Sequence, residues 1–291
     1  MVKKYGDLYL QCRKALLQTE DSQTAGLMAR NLVAYYSGKS QEEVLRDRDL
    51  YAGEQTCNAV DEATQRLLSG EPLPYVLGEW EFYGLPLHVN RNVLIPRDDT
   101  CAVVGLAINQ AIFLPADPRV LDLCTGSGCI GLAIASRIKD ARVTLADISK
   151  EAMAVAKKNI ILNKLSSRVT CVQADALSTP PAFLGKFDMI VSNPPYITGP
   201  EMAQLPASVR NFEPHLALFG GRDGLDFYRS IAENYGKALK PGGFLALEFG
   251  MGQGDDVCRI LTEHGYTILE RTKDFNDRER AVLAQYGRKE D

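Results

Sequence analysis

Phe187-Asp-Met-Ile-Val-Ser192, an apolar and β-prone run, leads directly into Asn193-Pro194-Pro195-Tyr196. Such a run closed by prolines predicts a buried strand whose C-terminal end opens on a cleft. In open α/β sheets, ligands collect at that edge. Each proline lacks an N–H and has φ held near about −65°, and the residue before a proline is pushed toward extended geometry. The backbone is therefore stiff there, and its carbonyls are free to accept. The side-chain oxygen of Asn193 and the carbonyl of Pro194 can together accept both hydrogens of a planar NH2 group, while the Tyr196 ring stacks on its face. The plainer reading is an Asn-Pro turn that only stops a strand.

The surrounding sequence alternates strand and helix. Candidate strands are 119–123, 142–146, 169–173, 187–192, 244–249, 266–271 and 281–286, with helices expected over 103–113, 130–138, 150–163, 226–239 and 254–264. That rhythm predicts a mostly parallel sheet covered on both faces. Asp122-Leu-Cys124-Thr125-Gly126-Ser127-Gly128 ends the first of these strands in a tight glycine loop, which lets the main chain approach a ligand. Asp147 ends the next strand, where a carboxylate can accept both hydroxyls of a ribose. Asp175-Ala176 follows the third strand and is placed to meet the edge of an adenine.

Gly126-Ser-Gly128-Cys-Ile-Gly131 is also literally the dinucleotide fingerprint, so an NAD enzyme satisfies the first two strands equally well. Two features favour a methyl donor. Asp122 precedes the loop, where a carboxylate organises it or attracts a cationic ligand, and is of little use beside a pyrophosphate. The NH2 clamp at Asn193 has no role in hydride transfer. A non-catalytic binding module that keeps the fold is a third possibility, and the intact clamp speaks against it.

Residues 1–70 read as a small helical bundle, with Ser40-Gln-Glu-Glu43 in the form of a capping box. Residues 71–92, rich in Pro, Gly and aromatics, read as a linker containing a β-hairpin, and 93–291 as the α/β domain. The chain of 291 residues, 45% hydrophobic and 24% charged, has the composition of a soluble globule. Its net charge of −4 argues against stable nucleic-acid binding through phosphates. Seven cysteines without CxxC spacing suggest free thiols in a reducing compartment. His88, His215 and His264 lie far apart, so no metal site is expected. With no apolar signal core and no apolar run of spanning length, the expectation is a cytoplasmic protein off the membrane, working as a monomer.

The combination of Gly126-Ser-Gly128 with Asn193-Pro-Pro-Tyr196 resembles the class I S-adenosylmethionine-dependent methyltransferases that act on planar NH2 groups. Longer stretches narrow it: Leu73-Pro-Tyr-Val-Leu-Gly78, Val93-Leu-Ile-Pro-Arg97, Phe212-Glu-Pro-His-Leu-Ala-Leu218, Gly220-Gly-Arg-Asp-Gly-Leu225, and Lys273-Asp274 with Arg278–Arg280. From about residue 71 to 287 the chain is similar to the HemK/PrmC family. Its members methylate the N5 of the glutamine in the Gly-Gly-Gln motif of peptide chain release factors.

The resemblance implies a Rossmann-like, seven-stranded methyltransferase domain behind a small helical domain. It also implies S-adenosylmethionine as cofactor, S-adenosylhomocysteine as its product, and release factors as protein substrates. Carried over, it assigns Cys124, Thr125, Gly126, Ser127, Gly128, Asp147, Asp175, Ala176 and Asn193 to the cofactor. It assigns Asn193, Pro194, Pro195 and Tyr196 to the substrate amide, with Asn193, Pro194 and Tyr196 catalytic. Where the family usually reads Pro-Arg-Pro-Glu-Thr-Glu, Arg97 is here followed by Asp98-Asp99-Thr100-Cys101, and no role is carried over to that loop. The alternative that shares the clamp is an adenine-N6 methyltransferase acting on nucleic acid, which calls for a basic channel beside Tyr196.

Overall fold

The structure, a computed structural model, describes residues 2–287, so residues 288–291 of the α/β domain read from the sequence lie outside the described residues. In chain order the elements are helices α1 (Tyr5–Leu16), α2 (Ser22–Ser37), α3 (Gln41–Arg46), α4 (Glu54–Leu68) and α5 (Leu73–Leu77), then strands β1 (Glu79–Phe82) and β2 (Leu85–His88). They continue with α6 (Cys101–Ala111), β3 (Arg119–Leu123), α7 (Cys129–Arg137), β4 (Arg142–Asp147), α8 (Lys150–Leu162), β5 (Val169–Gln173) and β6 (Phe187–Ser192). The chain ends with α9 (Gly199–Gln204), α10 (Ala207–Phe212), α11 (Asp226–Asn234), β7 (Leu239–Glu248), α12 (Gly254–Glu263), β8 (Tyr266–Lys273) and β9 (Glu279–Tyr286).

The first compact unit takes in the chain up to Gly78 together with Ala207–Phe212. Its core is the set of apolar residues that recur at helical spacing, Leu8 and Leu16 of α1, Leu32 and Val33 of α2, and Val60 and Leu67 of α4. Asp21 caps α2, Gly38 ends it in the left-handed conformation, and Ser40 and Glu43 form the reciprocal capping box before α3. Part of the stretch expected as a linker is ordered within this unit. Pro74 sits in the first turn of α5. Arg66 then binds the Glu71 carboxylate at 2.9 Å and the carbonyls of Tyr75 and Val76 at 3.0 and 3.2 Å.

The second unit contains the remaining elements. The hairpin β1–β2 turns at Tyr83-Gly84, both with positive φ, the conformation that matches strand twist in a two-residue loop. The main sheet has seven strands in the order β5-β4-β3-β6-β7-β9-β8, parallel except for the pairs β7–β9 and β8–β9. The seven-stranded, mostly parallel, Rossmann-like sheet expected from the sequence is thus present. Alternate residues feed opposite faces. Val120, Met189, Val191 and Ala246 join α6, α7 and α8 in one core layer. Leu121, Leu123, Ile190, Leu245 and Leu247 join α11 and α12 in the other. The strands β3, β4, β6 and β7 end together, bringing the loops after Leu123, Asp147, Ser192 and Glu248 to one edge.

All seven cysteines are free thiols. Among the described residues no helix is long and apolar enough to cross a membrane, and no cluster of side chains could hold a metal ion.

Gly131 allows α7 to lie close against the sheet. A Cβ there would stand 2.3 Å from Leu145 Cδ2 and 2.9 Å from Asp122 Oδ2. Gly131→Ala is therefore expected to destabilise the protein by about 1–3 kcal/mol. Gly105 lies mid-helix with open space around it, so Gly105→Ala is expected to stabilise by about 0.5–1 kcal/mol. Urea denaturation of the two variants checks both signs.

Candidate active site

The loop between β3 and α7 bends sharply because three of its five residues are left-handed: Cys124 at φ 59°, Gly126 at 54° and Gly128 at 86°. The two glycines adopt that conformation without a Cβ penalty, whereas Cys124 is strained. Asp122 holds the bend. It is fully buried, and its Oδ2 accepts from the Thr125 hydroxyl at 2.5 Å and the Gly131 N–H at 2.8 Å. Burial pushes its carboxyl up to about 7 against those two hydrogen bonds. Of the two roles open to Asp122 in the sequence, loop organisation is the one the geometry supports, for it is not part of the cleft wall.

Asp147, half-buried at the end of β4, accepts from the Gly126 N–H at 2.9 Å through Oδ2 and from the Ser149 N–H at 2.9 Å through Oδ1. Burial raises its pKa, and the backbone donors oppose that rise. Each oxygen keeps a lone pair for a further donor. Asp175 closes an Asx turn through Leu177 N–H at 2.8 Å and Ser178 Oγ at 2.8 Å. Ala176 is buried, and its carbonyl accepts from Ser230 Oγ at 2.7 Å.

The cleft wall contains Cys124, Thr125, Gly126, Ser127, Asp147, Asp175, Ala176, Asn193 and Pro195. Three other residues singled out by the sequence, Gly128, Pro194 and Tyr196, adjoin it in the chain without lining it. Gly128 instead begins α7 and packs beside Leu145 and Leu132. Pro194 is buried and Tyr196 half-buried, with Tyr196 packed against the core layer of α11 and α12. Burial also drives the Tyr196 phenol far above its usual pKa.

The strand-end tetrapeptide is held from several sides. Gln253 Nε2 donates to the Tyr196 carbonyl at 3.1 Å. Ile197 N–H donates to Leu218 O at 2.9 Å, and Gly220 N–H returns to Ile197 O at 2.9 Å. Gly220 must be glycine for this approach, because a Cβ would lie 2.5 Å from Tyr196 Cα. Ser192 Oγ ties β6 to Leu123 O at 2.6 Å.

Several participants were given no role by the sequence reading, although Thr100, Glu213, Asp274 and Arg280 lie in stretches it quotes. Thr100, 2% exposed, accepts from Asn193 Nδ2 at 3.2 Å. Glu248, 2% exposed at the end of β7, is pushed up to about 7 by burial, which the Thr100 hydroxyl, Arg280 and the Asn193 side chain oppose. Arg280 bridges Asp274 at 3.0 Å and Asp99 at 3.2 Å. Glu213 accepts from Ile95 N–H at 3.1 Å and pairs with Arg97. In α8, Asn159 links the His88 main chain to Ser127 O at 2.9 Å. A carboxylate inside the apolar run Phe244–Phe249 is the one sequence signal that could have marked Glu248.

Residues 107–209 match the family described as Methyltransferase small domain, and residues 9–78 match PrmC N-terminal domain. The chain is 44% identical to the release factor glutamine methyltransferase of Clostridium acetobutylicum, over 74% of this chain and 75% of that one. It is 35% identical to the Agrobacterium fabrum enzyme of the same name, over 87% of this chain and 88% of that one. Against the longer bifunctional methyltransferase of Rickettsia felis it spans 53% of the relative's length. Among solved structures, a methyltransferase from Pyrococcus furiosus superposes with a TM-score of 0.51 at 19% identity, covering 78% of this chain and 100% of that one. This last likeness bears on the fold alone.

The buried Asp122 carboxyl makes stability depend on pH with a definite sign. An unfolded Asp loses its proton near 3.8, whereas the folded one keeps it to about 7. Between those values the native state binds more protons, so stability falls as pH rises through the window. Asp122→Asn lacks this titration. The wild-type minus variant difference, from denaturation at pH 4 to 8, is expected to drop by up to about 4 kcal/mol and level off above about pH 7. A flat difference would remove the buried, protonated carboxyl from the account. Glu248 titrates in both proteins and cancels.

Proposed function

The chain belongs to the release factor glutamine methyltransferase family, and we propose that it transfers a methyl group from S-adenosylmethionine to the side-chain amide nitrogen, N5, of the Gly-Gly-Gln glutamine in peptide chain release factors. One observation carries the reading. At the end of β6, the Asn193 amide is anchored through its nitrogen, while among the described residues no donor reaches its oxygen or the carbonyl of Pro194. Two stiffly held acceptors at a cleft edge suit the two hydrogens of a primary amide.

The residues present fit the cofactor. The left-handed loop from Cys124 to Gly128 bares its main chain to the cleft, with Cys124 to Ser127 in the wall. Asp147 retains lone pairs for a pair of vicinal hydroxyls, and Ile148, Ala176, Leu177 and Phe227 offer an apolar lining for a flat base beside Asp175. When bound, S-adenosylmethionine supplies an electrophilic methyl group on a sulfonium.

The protein's own contribution is placement. An amide nitrogen is a poor nucleophile because its lone pair is delocalised, so most of the acceleration must come from orientation. Acceptance of both N–H hydrogens by Asn193 Oδ1 and the Pro194 carbonyl holds the nitrogen and favours the positive charge that builds on it during attack. Pro195 narrows the wall beside them, and Tyr196 supports the strand end from its position packed against the core, where its ring does not line the cleft as the sequence reading expected. No histidine lines the cleft, in keeping with a mechanism that needs no base before attack. The relatives are named for a protein glutamine, which weighs against the adenine-N6 alternative.

Incubation with labelled S-adenosylmethionine and purified release factors, followed by mass mapping, tests the reading. The expected product is a single methyl on the Gly-Gly-Gln glutamine, and label on nucleic acid instead would sink it. Asn193→Ala is expected to lower transfer by more than about a hundredfold, with cofactor affinity held within about tenfold. Asp147→Ala is expected to weaken cofactor binding by about 1–3 kcal/mol, as read by calorimetry.

A further inference from the structure

We infer that Asn159 is a positioning residue for the cofactor loop, fixing the peptide between Ser127 and Gly128 from α8 and joining the hairpin β1–β2 to the same hold; this deepens the functional reading above and rests on it. Asn159 is fully buried. Its Oδ1 accepts from the His88 N–H at 2.6 Å, and its Nδ2 donates to His88 O at 3.0 Å and to Ser127 O at 2.9 Å. An asparagine amide has one acceptor oxygen and two N–H donors, so these three bonds use its donors in full. Turned over, the amide would set its oxygen against two carbonyls and its NH2 against an N–H. The geometry therefore allows one sense only.

The Ser127 carbonyl belongs to a peptide whose other polar end is also held, since the Gly128 N–H donates to Thr125 O at 2.9 Å. A peptide unit is planar, so pinning both ends fixes the whole plane. The neighbouring residues supply little restraint of their own, because Gly126 and Gly128, at φ 54° and 86°, carry no Cβ. Among the described residues no other donor reaches Ser127 O. The preceding peptide is the open one: Gly126 O and the Ser127 N–H have no partner among the described residues, and both residues line the cleft. The hold reaches outward as well. His88 ends β2, the adjacent Leu87 is fully buried, and just past the end of α8 Asn163 Nδ2 donates to Pro86 O at 2.9 Å. Both asparagines thus anchor the hairpin, and of the two Asn159 alone bonds the loop.

The test uses the full chain with Asn159→Ala and the isosteric Asn159→Asp, which keeps an acceptor for the His88 N–H but has at most one donor for two carbonyls. Asn163→Ala loosens the hairpin alone. Leu261→Ala, a cavity in the core layer of α12, is the control for lost stability. Calorimetry with S-adenosylhomocysteine is expected to show binding weaker by about tenfold to a hundredfold in both Asn159 variants, and by less than about threefold in Asn163→Ala and Leu261→Ala. In release factor methylation the KM for S-adenosylmethionine is expected to rise in step, with kcat within about threefold of wild type. Binding by Asn159→Ala within about threefold of wild type would overturn the inference. So would a matched loss in Asn163→Ala, which would assign the effect to the hairpin, or in Leu261→Ala, which would assign it to stability.

A readout without cofactor separates this inference from the functional reading. Exchange of the Gly128 amide hydrogen, followed in the unliganded chain, is expected to quicken at least about tenfold in Asn159→Ala and to stay within about threefold of wild type in Asn163→Ala. Unchanged exchange in Asn159→Ala would overturn the inference even if cofactor affinity fell. A chain that shows the Asn159 dependence in exchange and in binding yet methylates no glutamine would overturn the substrate reading and leave the inference standing. If Asn159→Ala fails to unfold cooperatively, Asn159→Asp decides by the same two measurements.

Discussion

The site depends on how the carboxyl edge of a parallel sheet is finished. Strands buried on both faces must shed their last polar groups into a region that is only partly wet, and every donor there needs a partner. In this chain the partners are carboxylates. Asp122 Oδ2 takes a hydroxyl and a helix N–H together, Asp147 takes two main-chain donors, and Asp188 Oδ2 takes the Arg119 N–H at the opposite end of the same strands. Without Asp122, the left-handed bend at Cys124 to Gly128 would lose the contact that joins its start to α7. The cleft takes its shape from that bend.

A second consequence is stiffness where function needs it. Two prolines limit the backbone after β6, and the segment that follows is tied to Leu218–Gly220 by main-chain hydrogen bonds. Gln253 and the close approach of Gly220 and Gly250 hold Tyr196 from the side. A poor nucleophile gains most from acceptors that do not have to be ordered during the reaction. The tetrapeptide is therefore better understood as part of a packed assembly than as four separate contacts.

Strands and helices were legible because their signals are local. Alternation of apolar residues, glycine at loop starts and a capping box at Ser40–Glu43 each act over a few residues, and the strands 119–123, 169–173 and 187–192 read from the sequence coincide with β3, β5 and β6. The helical turn Leu73–Leu77 was hidden in a stretch rich in proline and glycine, whose composition resembles a linker; its carbonyls accept from Arg66 in the preceding helix and from Tyr36, forty residues away. Glycine loop, Asp147 and Asn193 could be read because each is fixed by its place at the end of a strand. Thr100, Glu248, Arg280 and Glu213 could not, since their meaning arises only when remote segments meet.

The segment Asp98-Asp99-Thr100 shows why. As sequence it departs from a family pattern, and no role is carried over to it. In the fold, Asp99 pairs with Arg280, and Thr100 accepts from Asn193 Nδ2. One acidic residue thus shares an arginine with a second, Asp274, while the adjacent hydroxyl accepts from the asparagine that follows β6. The carboxyl of Glu248, buried at the end of β7, has an Oε2 without a hydrogen-bond partner, and burial raises its pKa because an uncompensated charge there is costly.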